Sequence, residues 1–261
     1  MLAYCVAPFE PSVAAKRHPR PAKLTMPYDL YLRALPYAFT PMPEDADKAL
    51  PLLGKAIELE PDYAAAHAII AWCHEARYLR GGMQEETRLA ALHHARLAIA
   101  KGSDDAAALA TAGFVIAVCG RDYETALTAF DRSFALSSSL ALAPGFSSLV
   151  RAWKGDDAIA VEQANRALRL SPFDPLIYLP YIGLAYAHFA AGRFEEMVSA
   201  ANLATQRTRG SPLPLSCLLP RWAVSTGART PRLWCNGCSN LHPVLPYPVR
   251  SAQPVMKTRR T

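Results

Sequence analysis

The chain has 261 residues, of which 51% are hydrophobic and 19% charged, and 28 Lys plus Arg against 22 Asp plus Glu leave a formal net charge of +6. That is enough apolar mass for one or two folded cores. The charge is unevenly placed: residues 1–25 carry four basic residues and one acid, residues 26–196 carry 15 and 21, and residues 197–261 carry nine and none. The local sums of +3, −6 and +9 argue against a nucleic-acid-binding core, which should be basic where it is folded.

Residues 1–25 read as an irregular N-terminal segment. The start, Met1-Leu2-Ala3-Tyr4-Cys5-Val6-Ala7-Pro8, has no basic residue before its short apolar run and no small-residue cleavage site after it, so no secretory signal is expected. The six cysteines, Cys5, Cys73, Cys119, Cys217, Cys235 and Cys238, are scattered over a chain too long to need disulfide staples. Reduced thiols and a cytoplasmic location are the simpler expectation.

Residues 26–208 read as consecutive helices, because proline vanishes between Pro61 and Pro144 and Ala-rich segments of helical period alternate with short breaks. No strand alternation is sustained, so the expected class is all-α. The second helix of each pair repeats a small residue, an apolar one four later and a small one three after that: Ala49/Leu53/Ala56, Ala91/Ala95/Ala98, Ala126/Phe130/Ser133, Ala160/Ala164/Ala167 and Met197/Ala201/Ala204. Their starts are 42, 35, 34 and 37 residues apart. Positions four and three apart share a helical face, and small side chains there let two helices approach closely. A break follows twelve residues after the first small position, at Pro61, Ser103, Ser138 and Pro172. Proline is tolerated there because the first turn of the next helix has spare amide donors.

Asp104-Asp105 and Asp156-Asp157 fall at expected helix starts, where carboxylates cap free amides. The longest stretch of this region without Asp, Glu, Lys or Arg, Pro175–Gly192, contains two prolines, His188 and three tyrosines, so no membrane span is expected.

This period, with its Ala, aromatic, Ala and Pro positions, resembles the tetratricopeptide repeat, a helix-turn-helix unit that stacks into a right-handed solenoid. Gly113 and Gly183 fall on the small position of the family's first helix, with Tyr186 on its aromatic position. The turns Gly120-Arg121-Asp122-Tyr123-Glu124, Lys154-Gly155-Asp156-Asp157 and Gly192-Arg193-Phe194-Glu195-Glu196 look like the family's Gly-Asp-Tyr-Glu-Glu turn. About eight extra residues surround Arg80-Gly81-Gly82-Met83, and Pro144-Gly145 predicts a kink or fraying in the third unit. The resemblance implies about four to five repeats whose first helices line a concave face. On that face the chain places Trp72, Phe114, Leu149 and Leu184 as a row of apolar anchors, with Glu75 the one charged residue. It lacks the Lys, Arg or Asn needed to clamp a partner's terminal carboxylate. Two readings stand here: a groove that takes a hydrophobic protein segment, or a row packed inside an overwound solenoid.

A narrower resemblance lies in Phe9-Glu10-Pro11-Ser12-Val13, Tyr28-Asp29-Leu30-Tyr31-Leu32-Arg33-Ala34-Leu35 and Leu170-Ser171-Pro172-Phe173-Asp174-Pro175. These resemble the segments leading into and joining the repeats of bacterial class III adenylate cyclases and related multidomain signalling regulators. The resemblance implies a regulatory part whose catalytic domain lies N-terminal. No residue here matches that domain, so no catalytic residue is carried over.

Chemistry is otherwise scarce. The chain has no Gly-rich phosphate loop, no Gly-x-Ser-x-Gly elbow and no His-Glu-x-x-His helix, so no enzyme and no cofactor is expected. His67, His74, His93 and His94 suggest a metal site, but adjacent histidines point about 100° apart on a helix, which favours a solvated or core-edge role. In residues 209–261 the helical pattern gives way to eight prolines and no acid. This reads as a disordered or out-of-frame tail, or as a basic arm for anionic partners. Cys235, Cys238 and His242, with Cys217 as a fourth ligand, have the spacing of a zinc site. One Cys-x-x-Cys without a second pair is a thin signal, and zinc stays a minor reading. The expected function is a non-catalytic scaffold that contacts a protein partner or companion domain.

Overall fold

The computed structural model describes residues 26–40 and 42–207. Among them ten α-helices form five consecutive antiparallel pairs and no strand occurs. The pairs are α1 (Pro27–Ala38) with α2 (Pro43–Leu59), α3 (Ala64–Arg80) with α4 (Glu85–Lys101), α5 (Ala106–Val115) with α6 (Tyr123–Leu136), α7 (Leu142–Lys154) with α8 (Asp157–Leu170), and α9 (Tyr178–Ala190) with α10 (Phe194–Arg207). Each first helix packs on its own partner, on the second helix of the preceding pair and on the next first helix. This is the tetratricopeptide-like solenoid expected from the repeat.

Local chemistry sets the helix starts. Pro27 and Pro43 open α1 and α2, where an amide donor is spare. The Asp105 carboxylate accepts from the amides of Ala107 and Ala108 at 3.0 and 2.9 Å, and Asp122 accepts from the Thr125 amide at 3.0 Å. Asp156 and Asp157 differ from the capping expectation. Neither caps α8: Asp156 turns instead to Arg151 at 3.6 Å, and burial raises the pKa of the Asp157 carboxyl.

All five small-apolar-small triads are buried, from Ala49/Leu53/Ala56 to Met197/Ala201/Ala204. They form the seams between the helices of each pair and the pair that follows. Gly113 shows why the seam needs small residues: a Cβ there would stand 3.0 Å from Ala129 Cβ and 3.2 Å from the Ala126 carbonyl oxygen.

Three details depart from the sequence reading. Pro144-Gly145 causes no kink, because α7 begins at Leu142 and places both residues in its first turn, where a missing amide donor costs nothing. Gly183 is not equivalent to Gly113. The nearest atoms to a Cβ at Gly183 belong to Ser148 of α7, whereas at Gly113 they belong to its own partner helix; α9 starts six residues after its break at Pro172 whereas α5 starts three after Ser103. The α5–α6 turn also shifts. The end of α5 widens into a π-helical turn, Ile116–Gly120, so the left-handed residue is Arg121 at φ 55°, whereas Gly155 and Gly192 take that role in their own turns.

Candidate functional site

The four expected anchors fall on first helices: Trp72 on α3, Phe114 on α5, Leu149 on α7 and Leu184 on α9. All four are buried within the chain itself. The open apolar row of the groove reading is therefore corrected to a filled inner face, and the packing of aromatic rings supplies the reason. Trp72 lies 5.7 Å from Phe114 and 5.6 Å from Phe146, and Phe114 stacks on Phe146 at 4.4 Å with an 18° interplanar angle. Trp153 of α7 extends the cluster, 6.2 Å from Phe114, 6.4 Å from Tyr123 and 6.5 Å from Tyr186. The Trp72 indole N–H donates to the Ala38 carbonyl at the end of α1, 2.9 Å away. One side chain thus joins α1, α3, α5 and α7.

A ring contact between α3 and α7 skips a repeat. It requires tight superhelical winding, which brings first helices two units apart within van der Waals reach. Phe146 carries this contact and Trp153 extends the cluster to α5, α6 and α9; neither was among the residues expected on the inner face. Their sequence signal was aromatic bulk on a first helix, hidden because α7 begins one residue later after its break than α5 does.

Glu75 sits on this same face and is only 4% exposed. Burial pushes its carboxyl up to about 7, and the Arg80 guanidinium offsets this only in part. Tyr178 of α9 is also buried, its pKa raised by burial and by the Glu75 charge and lowered by Arg80. Burial likewise holds the Cys73 thiol near 12 and raises that of Cys119. Both cysteines are unpaired, and protonated buried thiols are poor nucleophiles.

The histidines read as solvated or core-edge residues meet at the α3–α4 seam. His67 and His74 on α3 face His94 on α4, with His67 Nδ1 and His94 Nδ1 2.9 Å apart. Among the described residues no group of three or more His, Cys, Asp or Glu side chains is placed to hold a metal ion. The zinc candidates Cys235, Cys238 and His242 lie outside the described residues, as do Cys217 and the rest of residues 209–261.

Several large apolar side chains stand in water, on α1, α2, α4, α6 and α8 and in the α8–α9 turn. Leu136 and Leu170, the last residues of α6 and α8, are exposed, and Phe173 in the α8–α9 turn is 91% exposed. Beside them a shallow depression is lined by Ala141, Leu142, Gly145, Phe146, Leu176 and Pro180, with Ser171 and Asp174 at its rim. The Asp174 carboxylate accepts from the Leu176 amide at 2.8 Å and fixes the turn that presents Phe173. Among the described residues no helix is long and apolar enough to cross a membrane.

The described chain thus defines a helical-repeat protein of tetratricopeptide-like architecture. Among solved structures it is similar to two crystal structures of MamA. One is 19% identical, covering 63% of this chain and 89% of that one with a TM-score of 0.43. The other is 18% identical, covering 69% and 89% with a TM-score of 0.44. No protein-family model matches the chain, and no curated protein matches it.

Proposed function

We propose that the chain is a non-catalytic scaffold that binds a protein partner or a companion domain, with its contact along the outer edge formed by Leu136, Leu170 and Phe173. The observation that carries this reading is Phe173. A phenyl ring left almost wholly in water beside an apolar depression is the kind of aromatic anchor that interfaces use, and the surrounding turn is held by its own hydrogen bonds. Trp72, Phe114, Leu149 and Leu184, first considered as the anchors, instead hold the superhelix to the curvature that presents this edge. The acidic balance of residues 26–196 disfavours attraction of a nucleic-acid backbone to the repeats.

The test is affinity capture with the full chain, wild type against Phe173→Ala. Phe173 touches little of the fold, so its removal should leave helix content and melting unchanged while a captured partner is lost or weakened at least tenfold. Equal capture by both proteins would overturn the edge as the contact.

The narrower reading, a regulatory region of an adenylate cyclase-like or transcription-regulating protein, is supported by the sequence resemblance alone. Tyr28–Leu35 lies in α1, the first described helix, which packs on α2 and α3. Reading the frame upstream of Met1 tests it: a cyclase or winged-helix domain there would support the reading, and unrelated sequence would remove it.

A further inference from the structure

The seam between α3 and α4 differs from the other seams in holding four imidazoles. His67 is buried, His74 and His94 are half-buried, and His93 is exposed. His67 Nε2 lies 2.9 Å from the Pro61 carbonyl oxygen, which can only accept. Nε2 of His67 therefore carries a proton, and in the neutral ring Nδ1 is left as a lone pair. His67 Nδ1 faces His94 Nδ1 at 2.9 Å, so His94 must donate through Nδ1–H.

The ring centroids are 5.2 Å apart, close to the nitrogen separation plus two ring radii of about 1.1 Å each. The His94 Nδ1–H and the His67 Nδ1 lone pair thus run head to head. That is hydrogen-bond geometry, whereas a metal ion held by both rings at about 2.0–2.1 Å per bond would sit at the apex of an angle.

We propose that His67 and His94 form a proton-counting clasp between α3 and α4, which holds this helix pair closed at neutral pH and releases it when the medium acidifies. A pair facing through Nδ1 accommodates one added proton: His67 then donates, and His94 accepts after its own proton moves to Nε2. A second added proton places two N–H groups head to head and breaks the contact.

The surroundings give that charge no relief. The groups that act on His94 are His67 and His74 on α3 and His93 on its own helix, and together with burial they hold its imidazole down to about 4. His74 is held low by burial and by Arg77. On the packed elements, Asp47 of α2 pairs with Arg77 and Asp62 of the α2–α3 turn pairs with Lys101. The α5 helix has no ionisable side chain, and its π-helical extension has only Cys119. Asp29 and Arg33, the charged groups of α1, are not among the groups that shift His74 and His94.

The test uses the full 261-residue chain. At pH 7.5 the imidazole ¹⁵N shifts should show His67 as the Nε2–H tautomer and His94 as the Nδ1–H tautomer. Native-state hydrogen exchange, corrected for the intrinsic pH dependence of amide exchange, is read in the Glu75→Gln background, because Glu75 of α3 is raised to about 7 by burial and would release a proton on opening in the same range. There the α3–α4 opening constant should rise between pH 6.5 and about 4 by about tenfold per pH unit for each proton taken up. The α7–α8 pair, which has no histidine, should show no such rise. His94→Gln should flatten the α3–α4 slope. Nε2–H tautomers at both rings, equal slopes at the two pairs, or an unchanged slope in His94→Gln would each overturn the clasp. The tautomers are read on the wild type, so the test survives a variant that fails to fold.

Discussion

The inner face of the solenoid and the seams between its helices solve different packing problems with different residues. The seams are built from triads at four-and-three spacing, mostly Ala, with Ser133 and the larger Leu53, Phe130 and Met197 among them, which sets how closely helices approach. The inner face is built from Trp72, Phe114, Phe146 and Trp153, whose bulk sets how tightly the pairs wind. Small residues fix a distance, and large ones fix a curvature. The comparison also separates the titratable groups: the inner face buries an acid, Glu75, and one seam buries histidines, so the two regions respond to pH in opposite directions.

Breaking the inner face should have the largest effect. Phe114→Ala removes the ring that stacks on Phe146 and touches Trp72 and Trp153, and a buried Phe→Ala change costs about 3–5 kcal/mol. Urea unfolding of the full chain should show that loss, with no comparable change for Leu89→Ala on the exposed face of α4.

Glu75 sharpens the contrast. Its folded pKa, about 7, lies above the ordinary 4.5, so its contribution to stability is fully present below about pH 4.5 and is lost as pH rises through 7. At one pKa unit per about 1.4 kcal/mol, stability should fall by about 2–3 kcal/mol between pH 5 and 8 through this group. Glu75→Gln should abolish that fall when melting is followed across the range. Loss at the histidine seam runs the other way, on acidification below about 6.5. The wild type should therefore be most stable at mildly acidic to neutral pH.

Asp105→Ala is the smallest of these changes. It removes the acceptor for two amides at the start of α5 and should cost about 1 kcal/mol, visible as a modest drop in melting temperature with the helical signal retained. Asp156→Ala, which loses no cap, should cost less.

The seams were legible in the sequence because their rule is local. Ala49/Leu53/Ala56 and its four counterparts follow helical spacing within a single helix, and every one is buried. The inner face was legible only as positions. Trp72, Phe114, Leu149 and Leu184 were assigned to it by counting, but whether it stays open depends on winding, which is set by contacts between pairs distant in sequence. Phe146 escaped because helix starts drift from three to four to six residues after each break. The His67–His94 bond escaped for a related reason. Spacing along α4 showed only that His93 and His94 diverge, whereas the partner of His94 lies 27 residues away on α3. Phe173 reads in the sequence only as part of a repeat junction, with no sign that its ring stands in water, because exposure is a property of the folded turn.

The most direct test of the closed inner face is a double-mutant cycle between Trp72 and Phe146, which lie two repeats apart. Unfolding free energies of the wild type, Trp72→Ala, Phe146→Ala and the double variant should give a coupling of about 1 kcal/mol or more, the value for aromatic rings in contact. Additivity within about 0.3 kcal/mol would mean that α3 and α7 do not touch and that the solenoid is open.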